Sequence, residues 1–110
     1  MNELDELDAV VAMAAGASEC PYEPSIAWIL PGTLDLATRP AKDWRFLMAA
    51  VGKLEDTTGL SFQRDRDGSW EVYDDFGNCL FAMPFDDESS ISEAEALARC
   101  IRAAVEHKER

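Results

Sequence analysis

The chain has 110 residues, 47% of them hydrophobic, and carries 22 acidic against 10 basic side chains, a formal charge of −12. That apolar share is enough to fold one domain over residues 1–110 and too much for an acidic disordered tail. The charge excludes an unassisted nucleic-acid binder, whose phosphate contacts need clustered Lys and Arg, and it disfavours a negatively charged membrane surface.

Residues 3–15 place Leu4, Leu7, Val11 and Ala14 at spacings of three and four, with Asn2 as N-cap and Gly16 past the end. This spacing predicts a short amphipathic helix. From Ala17 to Pro40, the prolines Pro21, Pro24, Pro31 and Pro40 interrupt every period. Only residues 26–30 are apolar enough for a short strand or a buried loop, so 17–40 is expected to be mostly irregular. A loop of that length implies a binding surface or an unseen strand.

Trp44, Leu47, Met48, Val51 and Leu54 form one helical stripe ending before Thr57-Thr58-Gly59. Three short antiparallel strands follow. They centre on Leu60-Ser61-Phe62, Trp70-Glu71-Val72-Tyr73 and Cys79 to Met83, joined by turns at Asp65-Arg66-Asp67-Gly68 and Asp75-Phe76-Gly77-Asn78. A last helix starts at Ser90 or Ser92, both with capping-box spacing, and its inner face is Ile91, Ala94, Leu97, Ala98, Ile101 and Val105. The predicted fold is α+β: a small three-stranded antiparallel sheet packed by two long helices and a short N-terminal helix. Leu60, Phe62, Trp70 and Val72, with some of Leu80, Phe81, Ala82 and Met83, face inward. Trp44 and Trp70 are in phase with the core. Trp28 is either a lid on that core or an apolar anchor in an interface.

The charge is uneven. Residues 1–40 hold seven acids and one base, 41–68 hold five of each, 69–95 hold eight acids and no base, and 96–110 hold two acids and four bases. Glu71, Asp74, Asp75, Asp86, Asp87, Glu88, Glu93 and Glu95 come from a strand edge, two connections and a helix start. On one side of a compact domain they form either a docking face for a basic partner, imitating phosphates, or a solvated rim.

Catalytic chemistry has little to build on. His107 is the lone histidine, in the last turn of a helix. Cys20, Cys79 and Cys100 lack the short spacing of a zinc site, and an odd number without CxxC fits reduced thiols. Cys100 reads as a core residue and Cys79 as a strand residue. Asp65 to Gly68 lacks the later ligands of a calcium loop, and Asp86-Asp87-Glu88 suits a helix start better than a cation. Asp75-Phe76-Gly77 has no glycine-rich loop or lysine to make it a kinase motif. No enzyme activity, cofactor or metal is expected. The acidic start lacks the pattern of a secretory signal, and no apolar run is long enough to span a membrane, so a cytoplasmic protein is expected.

Leu7 to Ala12, Pro21-Tyr22, Asp43-Trp44 through Lys53-Leu54, Gly68 to Val72, and Glu93 through Ala104 together resemble small phage-encoded proteins of the alpha-beta-alpha sandwich type. Members usually have a Tyr-Ser-Thr loop where this chain has Tyr22-Glu23-Pro24-Ser25. The resemblance implies a phage protein that binds a host protein, as anti-CRISPR and other anti-defence proteins do. The expected role is a non-enzymatic inhibitor in the cytoplasm of the bacterial host. It engages a nucleic-acid-binding defence protein through acids and Trp28 and blocks its nucleic-acid site. The alternative is a phage structural or assembly protein working as an oligomer through the Trp28 segment.

Overall fold

Leu7, Val11 and Ala12 lie at i, i+4 and i+5, one helical face, and α1 (Glu3–Ala14) buries all three. The computed structural model describes residues 3–19, 27–30, 32, 35–66, 68–83 and 92–109; the expected N-cap Asn2, the alternative helix start Ser90 and the expected inner-face residue Ile91 lie outside them. α1 ends as expected at Gly16, at φ 78°. Ala17 N–H donates to Ala12 O (2.9 Å) and Gly16 N–H to Met13 O (3.0 Å), the two bonds of a Schellman closure.

The segment 17–40 holds the expected short strand within 26–30, and two further strands beside it. It carries three two-residue strands, β1 (Ser18–Glu19), β2 (Trp28–Ile29) and β3 (Leu36–Ala37), in an antiparallel sheet of order β1-β2-β3. Ser18 pairs with Ile29 and Trp28 with Ala37. Two residues cannot display a period of two, so the prolines dominate any local reading. The single expected sheet is therefore two. This small sheet hands Leu30 to the buried core, with Trp28 and Ala37 packed against it half-buried.

A short 3₁₀ turn (Pro40–Lys42) leads into α2 (Trp44–Thr58). Asp43 caps α2, accepting from Arg45 N–H at 2.9 Å, and Gly59 at φ 75° closes it. The inward face is Phe46, Leu47, Ala50, Val51 and Leu54. Trp44 and Met48, expected in the core, are 42% and 49% exposed. Both stripes share Leu47, Val51 and Leu54. Packing on α1 and α3 turns the helix toward Phe46, whose burial contributes roughly 1.5–3 kcal/mol. Trp44 instead rests on Trp70, ring centroids 6.5 Å apart.

The larger sheet is the expected meander: β4 (Ser61–Arg64), β5 (Trp70–Tyr73) and β6 (Cys79–Met83), order β4-β5-β6. Gly68 N–H to Asp65 O (3.1 Å) closes the first hairpin and Gly77 N–H to Asp74 O (3.1 Å) the second. Val72 pairs with Phe81 but Tyr73 with Cys79, so Leu80 is an inserted residue and stays exposed. Trp70 and Val72 face inward onto α3 (Glu93–Lys108), with Ser92 as its cap. α3 buries Ala96, Leu97, Ala98, Cys100, Ile101 and Ala104, a face shifted from the expected one: Ala94 and Val105 are only half-buried. Among the described residues the result is three α-helices and two small antiparallel sheets around one core. Among the described residues no helix is long and apolar enough to cross a membrane.

Candidate interaction surface

Asp74 stands where β5 gives way to its turn, and its carboxylate holds that turn together. Oδ1 accepts from Phe76 N–H (2.9 Å) and Asn78 N–H (2.8 Å), and Oδ2 accepts from Asn78 Nδ2 (3.3 Å). The Asn78 N–H, first among these donors, keeps the Asp74 carboxyl below its ordinary value. Asp75, the next residue, is exposed. Glu71 lies three residues before Asp74, on β5, and accepts the Tyr73 hydroxyl; that bond raises the phenol to about 12.

Glu93 belongs to the other end. It pairs with Arg64, which holds its carboxyl down, and Arg64 sits opposite Trp70 in the β4–β5 register. The length of β5, roughly 10 Å from Trp70 to Tyr73, thus separates Glu93 from Asp74 and Asp75. Glu95 forms an i,i+4 pair with Arg99 at 3.4 Å. Asp86, Asp87 and Glu88 lie outside the described residues. Trp28 is half-buried in β2, against the core.

The structure adds acids that sequence analysis did not single out. Glu55 and Asp56 lie in the last turn of α2, which holds no base, and Asp75 covers the Gly59 cap of the same helix. The Glu55 carboxylate also accepts Phe62 N–H at 3.0 Å, tying β4 to the helix end. Carboxylates here face the negative end of the helix dipole, an arrangement that costs about 0.3–1 kcal/mol each. The missed signal was the order Leu54-Glu55-Asp56 before Thr-Thr-Gly.

Many of the basic side chains are held by acids of the chain. Arg39 binds Asp5 and Asp8 (3.0 and 2.8 Å), and Arg45 binds Asp35 and Asp43. Arg99 and Arg102 both reach Glu3. With Arg64, five arginines are engaged with acids of the same chain. Chemically the surface offers carboxylates to a cation.

Other chemistry is sparse among the described residues. No three His, Cys, Asp or Glu side chains there come together as a metal set. Cys100 is buried against Trp70 O (3.4 Å), Cys79 is exposed at the start of β6, and Cys20 lies outside the described residues. His107 is exposed on the last turn of α3, where its charge lowers Asp74 slightly; it lines a recess of ≈ 220 Å³ with Val72, Leu80 and Phe81. A wider groove of ≈ 750 Å³ runs between the three helices over Val10, Met13, Leu54 and Val105. No family model matches the chain, and no curated protein and no solved structure matches it.

Proposed function

We propose that this chain is a non-enzymatic, phage-derived interaction protein that docks its acidic surface on a basic surface of a host protein and inhibits it. A nucleic-acid-binding defence protein is the target class, and the acids occupy the place of phosphates, in the manner of anti-CRISPR inhibition. The observation that carries this reading is the set of acids Glu55, Asp56 and Asp75 at the carbonyl end of α2, with no base in its last turn. Glu55 is accounted for by the Phe62 N–H it accepts, but the helix dipole alone favours Lys or Arg at the places of Asp56 and Asp75, the pattern expected where function claims a residue. Glu71 and Asp74 continue the negative surface along β5. Asp86, Asp87, Glu88 and Glu93 extend it in sequence, and Trp28 supplies an apolar margin.

A surface of this kind gains from electrostatic steering, because acids within the ~8 Å Debye length of one another act as one field. Phage origin rests on the resemblance carried by the helix and hairpin residues.

The test is affinity capture from lysate of the native host with wild type and an Asp56→Lys/Asp75→Lys variant. Asp74 is left in place because it holds the turn. Wild type is expected to retain a basic protein that duplex DNA displaces. The variant is expected to lose it while its thermal midpoint stays level or rises. Capture unchanged by the two reversals, or indifferent to DNA, refutes the reading.

A further inference from the structure

We infer that the groove between the three helices receives an amphipathic helix of a partner protein, acidic in its first turn and basic in its last, laid antiparallel to α1 and α3. This goes beyond the acidic docking above and does not rest on it: none of Glu55, Asp56 and Asp75 lines the groove. The floor is apolar, with Val10 and Met13 from α1, Leu54 from α2 and Val105 from α3, and the volume is ≈ 750 Å³. Met13 stands 71% exposed in the wall, an unbranched side chain that adapts to the shape of a partner. From Glu6 to Ala14 the groove is about 12 Å long at about 1.5 Å per residue, hence about 60 Å² in cross-section and roughly 9 Å across. An extended strand, whose neighbours sit about 4.8 Å away, fills half of that width, whereas two turns of an α-helix, about 10 Å across, fill it.

Charge sets the direction of the occupant. Glu3 binds both Arg99 and Arg102, so α1 and α3 enter the groove together and run along it in the same direction, residues 6–14 beside 102–109. Glu6 and Glu106 line the first part, where Arg102 is already held by Glu3. At the far end Lys53 lies over Gly16, just past α1, and Lys108 ends α3 beside Glu109. Helices favour acids in their first turn and bases in their last. One laid antiparallel to α1 and α3 brings its acids to Lys53 and Lys108, its bases to Glu6 and Glu106, and a dipole opposed to theirs. The helices of a second copy fit poorly. α1 has no base in its last turn, α2 has neither an acid in its first turn nor a base in its last, and α3 buries its apolar face in its own core.

The test uses the full chain and a labelled peptide with blocked ends, Glu-Glu-Ala-Leu-Ala-Ala-Leu-Leu-Ala-Ala-Leu-Lys-Lys, whose leucines have the i, i+3, i+4, i+7 spacing of a helix docked in a groove. A hydrocarbon staple on the face away from the leucines keeps it helical. The control peptide has Lys-Lys first and Glu-Glu last, with the same composition and no net charge. By fluorescence anisotropy, wild type is expected to bind the parent about tenfold more tightly than the control. Glu6→Lys/Lys53→Glu exchanges two exposed charges at opposite ends of the groove without altering the net charge, and is expected to lose that preference. Ala9→Trp, which fills the groove, weakens the parent by about tenfold or more. Equal binding of the two peptides by wild type, a preference that survives the exchange, or failure of the parent to bind overturns the proposal. Self-association of the chain that Ala9→Trp abolishes assigns the groove to a second copy and overturns it as well. Acidic docking is untouched by any of these results and fails only in the capture experiment.

Discussion

The Asp75 carboxylate lies over Gly59, the left-handed residue that closes α2: a β-carbon placed on Gly59 would collide with Asp75 Oδ1. The turn after β5 is thereby seated on the end of a helix, which joins the acids of both elements into one surface.

Gly59→Ala is expected to destabilise the protein by about 1–2 kcal/mol, chiefly from forcing a β-carbon into the left-handed region, since the end of the Asp75 side chain can swing aside. Gly52 is the counterpart within the same helix. It is exposed, and a β-carbon there would meet nothing within 4 Å, so Gly52→Ala should stabilise by up to about 1 kcal/mol. Urea denaturation of the two variants measures both, and effects of the same sign would contradict the assignment.

Asp8 is the buried acid of α1, 6% exposed. Its Oδ1 accepts Ala41 N–H at 3.0 Å and its Oδ2 meets Arg39 at 2.8 Å. Asp8→Ala leaves a buried N–H without an acceptor, and a loss of about 2–3 kcal/mol is expected. Asp8→Asn keeps an acceptor for Ala41 and loses only the pairing with the half-exposed Arg39, so about 1 kcal/mol or less is expected. Similar losses for the two variants would mean that the arginine, not the backbone bond, is what Asp8 serves.

Residues such as Asp8 show where local patterning stops. Its place one position from Leu7 and three before Val11 puts it on the apolar face, a signal that was present in the sequence but reads as an ordinary acid. The cap at Ser92, the glycine turn at Gly68 and the burial of Leu97 and Ile101 were legible because each depends on neighbours within four residues. The choice between Trp44 and Phe46 was not, since two helical faces share Leu47, Val51 and Leu54 and the packing of α1 decides between them. The strand pairs Ser18–Ile29 and Trp28–Ala37 depend on contacts across prolines. In the candidate surface, Asp75 was visible as a member of an acidic run. Glu55 and Asp56 were hidden because residues 41–68 average to neutral, while Lys53 of that stretch reaches across to Gly16 and leaves the helix end acidic.

The two described thiols should differ sharply in reactivity. Cys79 is exposed, while burial pushes the Cys100 thiol up to about 12 from an ordinary 9.0. In a Cys20→Ser background at pH 8, one thiol is expected to react at once with an aromatic disulfide reagent and the second only on unfolding. Because the folded protein favours the protonated Cys100, its contribution to stability is complete below pH 9 and is lost as pH rises from there toward 12. Rapid reaction of both thiols in the folded protein would contradict the burial of Cys100.

Acid should weaken the fold through a small set of carboxylates. Asp43 is held below its ordinary 3.8 chiefly by the Arg45 side chain, and Glu93 below its ordinary 4.5 chiefly by Arg64. A carboxyl that ionises more readily in the folded state binds fewer protons there than in the unfolded chain, so stability rises with pH across its titration. The contribution of these groups is complete above their unfolded values, near pH 5, and is lost as pH falls through about 4 and below. The measurement is the urea midpoint from pH 6 to pH 2.5 for wild type and for Asp43→Asn/Glu93→Gln. The amides keep an acceptor at the α2 cap and beside Arg64 but do not titrate, so the double variant should start less stable at pH 6 and lose less on acidification. Two curves of equal slope below pH 5 would show that other carboxylates, not these arginine-paired ones, govern the acid limb.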